Sequence, residues 1–315
     1  KSANGLYLNQ TAVGPFAESS LFSLRKDYEG GLIVAHGDGI SRMTAAGELT
    51  TIIDGVSGHY FVTDGSSGTM LVRGGIIDGV ETESGTFYLI VRLDQADPSS
   101  PVQRTGLYRV RPGSSTFESV AVDLEKPREL QVDRLSRIYV YDEATASIWR
   151  YGTDGERELM VPDIDDFRGM AYDNATNRLL FASRAGLRCL AGDDSVSNFI
   201  TESGGLMPDD AGRPVVSPEG DVMVFGIGTD TDGNYEIGLF RFGADGVFKD
   251  FTESDLDGFY QRWEQTVLGK VWSLTGDIRD GSASFDRFIL GLTREEDGLY
   301  RNTTHHTKRL SKHDD

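Results

Sequence analysis

The feature that most constrains this chain is a repeated pattern that opens with an arginine. The stretches RELQVDRLSRIYVYD from Arg128, RGMAYDNATNRLLFAS from Arg168 and RPVVSPEGDVMVFG from Arg213 share an arginine, an apolar run, a turn and a second apolar run. Two further short apolar runs follow each stretch, so one unit contains four strands separated by Gly, Asn and Asp turns. No segment shows a convincing helical period, which predicts an all-β chain. Four-strand units repeated every 40 residues or so are typical of a β-propeller.

Copies that keep the spacing of these units open at His59 and Arg262, and a looser copy opens at Glu18. We therefore predict one domain over residues 1–315, a six-bladed β-propeller of four-stranded antiparallel blades that open near 18, 59, 128, 168, 213 and 262. The interval from 59 to 128 is unusually long, and a seventh, degenerate blade inside it is the alternative. Because propellers commonly close with a terminal strand, residues 5–11 (GLYLNQT) are expected to form the outer strand of the last blade.

Two of the units are enlarged in a similar way. Both contain I-x-D-G, then an apolar strand, then G-L-Y-R. We interpret each enlargement as a long connection between the second and third strands of a blade. Residues 75–105 and 275–285 are then expected to lie on one face, above the point where the opening residues converge.

Composition limits the partners and the compartment. The chain has 50 acidic and 31 basic residues and a formal charge of −19, which argues against nucleic acid as a partner. No apolar run approaches the roughly 20 residues of a transmembrane helix. The chain begins with Lys1 rather than Met, which suggests a removed signal peptide and an extracellular or periplasmic location. The single cysteine, Cys189, lies in an apolar run and is predicted to be buried.

The stretch PRELQVDRLSRIYVYD resembles the NHL-type pattern P-x-G-[IV]-A-V-D-x-x-G-x-[IL]-Y-V, and the number of units is similar to the six-bladed SMP-30, gluconolactonase and strictosidine synthase superfamily. SMP-30-like enzymes hold a divalent metal at the propeller axis and hydrolyse lactones or phosphoesters. The resemblance therefore implies a lactonase or esterase-type hydrolase with a divalent metal such as calcium.

The metal ligands of that family are only partly matched. Their first ligand is the Glu of E-G-P-x-W, and here Glu18 in ESSLF matches the Glu alone. Their Asn in R-P-N-G has no counterpart, because Arg128 in PREL and Arg168 in FRGM stand at such places. An arginine cannot bind a metal, since it is always protonated and has no acceptor. Glu18 is the one family-matched metal candidate.

The opening arginines have two interpretations. In the first, guanidinium groups converge on one mouth and bind a carboxylate, sulfate or phosphate. In the second, each arginine is neutralised by acids of the neighbouring loops and fastens one blade to the next. Such acids are present at Glu125, Glu129, Asp163, Asp165, Asp166, Asp209, Asp210, Asp255 and Asp257. The candidate ligand-binding residues are Arg128, Arg168, Arg213 and Arg262.

His59 and Glu18 are the candidate catalytic residues. Nearby cations would lower the pKa of His59 and leave a neutral imidazole able to act as a general base. The favoured function is a secreted propeller that binds a small anionic or sugar-like ligand in an axial pocket, with SMP-30-like hydrolysis as an extension. The alternative, from another class, is a non-catalytic scaffold that holds a protein or a glycan.

Overall fold

The structure is a computed structural model. It describes residues 21–26, 32–36, 39–43, 49–54, 59–63, 69–93, 106–114, 116–122, 124–217, 220–229, 232–253, 259–267, 270–277, 287–294 and 300–308. These residues contain 25 β-strands, and their one helical element is a 3₁₀ turn at Pro208–Asp210. The all-β prediction is confirmed. None of the described segments forms a helix that could span a membrane.

The first two sheets contain nine strands. One sheet has the order β1 to β4, formed by Leu21–Lys26, Leu32–His36, Gly39–Met43 and Leu49–Asp54. The next comprises β5 to β9, formed by His59–Thr63, Thr69–Glu81, Phe87–Leu93, Gly106–Val110 and Thr116–Ala121. In the second sheet β5 also pairs in parallel with β9, so the five strands close on themselves.

The other sheets are four-stranded, and their strands are paired in sequence order. The third comprises β10 to β13, at Pro127–Val132, Ile138–Asp142, Ser147–Tyr151 and Arg157–Val161. The fourth comprises β14 to β17, at Gly169–Asp173, Arg178–Ser183, Gly186–Leu190 and Val196–Asn198. The fifth comprises β18 to β21, at Pro214–Val216, Val222–Thr229, Tyr235–Phe242 and Phe248–Glu253. The sixth comprises β22 to β25, at Phe259–Val267, Lys270–Asp277, Arg287–Arg294 and Tyr300–Lys308.

The chain divides into two compact units. The N-terminal unit comprises Leu21–Asp165 with Leu190–Val196, and the C-terminal unit comprises the described residues of Asp166–Cys189 and of the chain from Ser197 onward. The single-domain prediction and the blade count stay predictions. Residues 5–11, expected to close the last blade, lie outside the described residues.

Each unit has its own apolar core. In the N-terminal unit Leu130, Ile138 and Val140 of the third sheet pack with Ile90 and Leu107 of the second. The core of the C-terminal unit joins the fourth and fifth sheets through buried residues that include Leu180, Leu187, Cys189, Val224, Phe240 and Phe242. The burial predicted for Cys189 is confirmed. Alternate side chains of neighbouring strands thus meet between sheets, as stacked sheets require.

The second sheet differs from the expected blade. Strand β6 is 13 residues long and pairs with β5 through Thr69–Arg73 and with β7 through 74–81. Its connection to β7 is a short turn in which the Gly85 amide donates to the Thr82 carbonyl. The surplus sequence therefore does not form one loop over 75–105. Residues 75–93 instead form the second half of β6, a short turn and β7. These two strands pair because their apolar residues are buried in the core of the N-terminal unit.

The extension of β6 also changes which strand contacts the adjacent sheets. Strand β6 contacts β1 and β10, the first strands of those sheets. The sequence predicts that this unit opens at His59, in β5. The second half of β6, which contains Asp78, bonds to β10 instead.

Candidate functional site

Arg168 and Arg213 stand immediately before the first strands of the fourth and fifth sheets, in the C-terminal unit. The Arg168 amide donates to the Ala182 carbonyl, which fixes the start of β14 against β15. A Cβ atom added to Gly169 would lie 2.5 Å from Cγ of Arg213, so the aliphatic stem of Arg213 packs directly on the Gly169 backbone. The structure therefore brings together the start of β14 and the buried side chain of Arg213.

The guanidinium group of Arg168 lies between two carboxylates. Its Nε and Nη2 atoms donate to Oδ2 of Asp166 at 3.2 and 2.8 Å. Its Nη1 atom lies 3.9 Å from Oδ1 of Asp210, which is within ion-pair range but too long for a hydrogen bond. The side chains of Arg168 and Asp210 are 28% and 33% exposed. One edge of the guanidinium group is thus fixed, and the other faces an acceptor across a gap that solvent can reach.

Asp210 reaches this position through the connection between the fourth and fifth sheets. This connection runs beside the far half of β19, where β18 is too short to pair. The Met207 amide donates to the Ile227 carbonyl, and the Gly212 amide donates to the Phe225 carbonyl. The 3₁₀ turn Pro208–Asp210 lies between these two bonds. Backbone pairing with β19 therefore sets where the Asp210 carboxylate lies.

Arg128 belongs to the N-terminal unit, at the start of β10. Its Nη1 atom lies 2.7 Å from Oε2 of Glu143, and its side chain is 59% exposed. Lys126 donates to the other oxygen of Glu143 at 2.7 Å. This hydrogen bond, with the charge of Arg128, holds the pKa of Glu143 below its usual value. The loop acids Glu125 and Glu129 were the partners suggested by the sequence, but the pairing of β10 with β11 places Glu143 beside Lys126 instead.

The remaining candidates cannot be placed as side chains. Glu18 lies outside the described residues, and for His59 in β5 and Arg262 in β22 only the strand is described. The catalytic roles of Glu18 and His59 and the metal role of Glu18 stay predictions. Within the described ranges, no group of three or more His, Cys, Asp or Glu side chains is arranged to hold a metal ion.

Sequence reasoning did not assign the aspartates that close the first hairpin of two units. Oδ1 of the buried Asp133 accepts bonds from the amides of Leu135 and Arg137, and Oδ2 accepts from Nε of Arg137 at 2.6 Å. Asp173 makes the equivalent bonds with the amide of Ala175 and the guanidinium of Arg178. These aspartates hold the turn after the first strand. The sequence does indicate this role, because each aspartate follows an apolar run and precedes a turn.

A third unassigned aspartate, Asp78, joins two sheets. Its Oδ1 atom accepts the Gly79 amide and its Oδ2 atom accepts the Leu130 amide of β10, both at 2.9 Å. Asp78 is the acidic residue of the first I-x-D-G stretch. From the sequence we identified the motif but predicted that it lies in a loop above the axis. In the structure it lies in a buried strand.

Four-stranded antiparallel sheets whose strands pair in sequence order are typical of the blades of a β-propeller. Solved structures similar to the chain include a streptogramin B lyase, at 12% identity and a TM-score of 0.53 over 85% of this chain and 94% of that chain. Virginiamycin B lyase from Staphylococcus aureus matches at 10% identity and a TM-score of 0.51 over 93% of this chain and 86% of that chain. The predicted β-propeller fold is thus confirmed, and these solved structures share it.

A gluconolactonase from Xanthomonas campestris is also similar, at 17% identity and a TM-score of 0.47 over 65% of this chain and 69% of that chain. No family model and no curated protein sequence matches the chain. Identities this low show a shared fold and leave the activity open.

Proposed function

We propose that this β-propeller binds a small sugar-like or anionic ligand where β14 and β18 begin, with Arg168 as the contact residue. The supporting observation is the gap of 3.9 Å between Nη1 of Arg168 and Oδ1 of Asp210. A ligand oxygen that lies to one side of these two atoms can reach both, and it accepts a charge-assisted hydrogen bond from Nη1. Asp166 already fixes the other edge of the guanidinium group, so little side-chain entropy is lost on binding.

The charges around Arg168 favour the sugar-like ligand over the anionic one. Asp166 and Asp210 together offset the positive charge of Arg168, and the chain as a whole carries a net charge of −19. A carboxylate or phosphate in the gap meets the Asp210 carboxylate and is repelled. A hydroxyl group accepts from Nη1 and donates to Oδ1 of Asp210, so it satisfies both sides.

Hydrolysis, with Glu18 and His59 as catalytic residues, is a separate proposal. The family resemblance implies this reaction, with a lactone or an ester as the substrate. The binding site at Arg168 does not depend on it.

Calorimetry with methyl glucosides, uronates, sugar phosphates and sulfate tests the proposal. Arg168→Lys keeps the positive charge but loses the planar set of N–H donors of the guanidinium group. Affinity for the bound compound should therefore fall about tenfold. Arg111→Lys is the control, because Arg111 is an exposed arginine that pairs with Glu118 elsewhere in the chain. The proposal is wrong if the unmodified protein binds none of these compounds, or if both variants bind as well as it does.

A further inference from the structure

Strand β13 is the outer strand of the third sheet, and one of its edges is open among the described strands. It pairs with β12 along one side, and in the described part of the chain no strand pairs with its other side. The strand has five residues, Arg157–Val161, and its first three are exposed. Open strand edges present unpaired amide and carbonyl groups to any extended chain that comes alongside.

An apolar surface adjoins this edge. Leu159 lies directly across from Trp149 of β12, so the two side chains share one face of the sheet. Leu159 is 46% exposed, and Trp149 packs only partly against the core of the N-terminal unit, beside the partly buried Val120. The guanidinium group of Arg157 lies 4.5 Å from the centre of the Trp149 ring and covers one of its faces. This surface, formed by Trp149, Leu159 and Arg157, is called the β13 edge below.

Acidic residues stand at both ends of the β13 edge. Asp154 and Glu156 precede the strand, Asp163 and Asp165 follow it, and all four are exposed. Glu158, also exposed, extends from the opposite face of β13 and pairs with Arg150. The charge pattern along the edge is therefore acidic, apolar, acidic, with the one cation of the strand placed over an aromatic ring.

We propose that the β13 edge binds an extended segment of a partner protein that has an apolar residue at its centre and basic residues on both sides. The segment adds as a fifth strand to the third sheet, and its backbone pairs with the open edge. Its apolar side chain packs beside Leu159 and Trp149. Its basic residues lie opposite Asp154 and Glu156 at one end and opposite Asp163 and Asp165 at the other. A five-residue strand is about 17 Å long, which sets the separation of the two basic groups.

Charge also decides against the most obvious competing occupant, a second copy of this chain. Two copies each have a net charge of −19 and repel one another. The acids at the ends of one β13 edge would also meet the same acids of the other. A basic segment is attracted by both the local and the overall charge, and this attraction accelerates its association at low salt.

A fluorescein-labelled nonapeptide with Leu at its centre, Val on either side and two Lys residues near each end is a direct probe. Fluorescence polarisation should show saturable binding that weakens as salt rises. Amide hydrogen exchange should show new protection at Arg157–Val161. Leu159→Lys should weaken binding at least tenfold, whereas Leu135→Lys, at a site 66% exposed in the β10–β11 turn, should not change it.

Three results would overturn this inference. The first is equal binding by the Leu159 and Leu135 variants, because the peptide would then not contact the β13 edge. The second is equal binding of a control peptide with Glu in place of Lys, or with Pro at the centre, because charge and strand addition would then be irrelevant. The third is a dimer in sedimentation that Leu159→Lys dissociates, since the occupant would then be a second copy.

Discussion

Replacing Asp78 by Ala should remove the hydrogen bond that joins β6 of the second sheet to β10 of the third. The buried carboxylate of Asp78 accepts the amides of Gly79 and Leu130, and the Leu130 bond spans 52 residues of sequence. In the variant the Leu130 amide remains buried without this acceptor, because Leu130 itself is fully buried. Asp78→Asn keeps the shape of the side chain but only one acceptor oxygen, so its NH2 group must face either the Gly79 amide or the Leu130 amide.

The magnitude follows from these two bonds. A hydrogen bond to a charged group contributes about 1.5–3 kcal/mol, and two of them contribute roughly 3–6 kcal/mol. Removing a buried charge also removes its desolvation cost, which offsets part of this loss. We expect Asp78→Ala to lower the free energy of unfolding by about 3 kcal/mol. Asp78→Asn should also lower it, because one of the two buried amides then faces an NH2 donor.

Urea unfolding followed by circular dichroism measures the free energy of unfolding, and hydrogen exchange measures the hydrogen bond from the Leu130 amide itself. Protection of the Leu130 amide should fall about 100-fold in Asp78→Ala, as expected for a local loss near 3 kcal/mol. Asp154→Ala, in an exposed turn, is the control and should change stability by less than about 0.5 kcal/mol. Unchanged stability and unchanged Leu130 protection in Asp78→Ala would refute the reasoning.

Two further predictions concern a turn and an ion pair. Gly246→Ala should destabilise the chain far more than Gly233→Ala. Both glycines have φ near +80°, but only at Gly246 would the new Cβ atom lie 1.9 Å from the Phe199 carbonyl oxygen. Similar melting temperatures for the two variants would contradict this prediction. The hydrogen bond from Arg111 holds the pKa of Glu118 below its usual value, so the stabilisation from Glu118 is complete above the unfolded pKa and is lost as pH falls through the lower folded pKa. Glu118→Gln should therefore reduce stability at pH 7, and this difference should shrink as pH falls through the lowered folded pKa of Glu118. A pH-independent difference would show that the charge is not responsible.

The sequence by itself determined the strands of the repeated units. Arg168 and Arg213 each precede a strand and Arg128 is the second residue of one, and the turns that follow lie where Gly, Asn and Asp predict them. These features are local, since alternation of apolar residues and turn chemistry act over a few positions. The turn aspartates Asp133 and Asp173 belong to the same local class and could have been found from their place in the repeat.

Only the tertiary structure decided which distant groups meet. Asp210 lies opposite Arg168 because the chain before β18 pairs with the far half of β19, and no pattern around Arg168 specifies that pairing. Asp78 reaches Leu130 because β6 continues past β5 into the core instead of ending at Arg73. Such contacts depend on the length of each strand, and a strand extends as far as its apolar face is buried. The free energy of that burial comes from neighbouring sheets that are remote in the sequence.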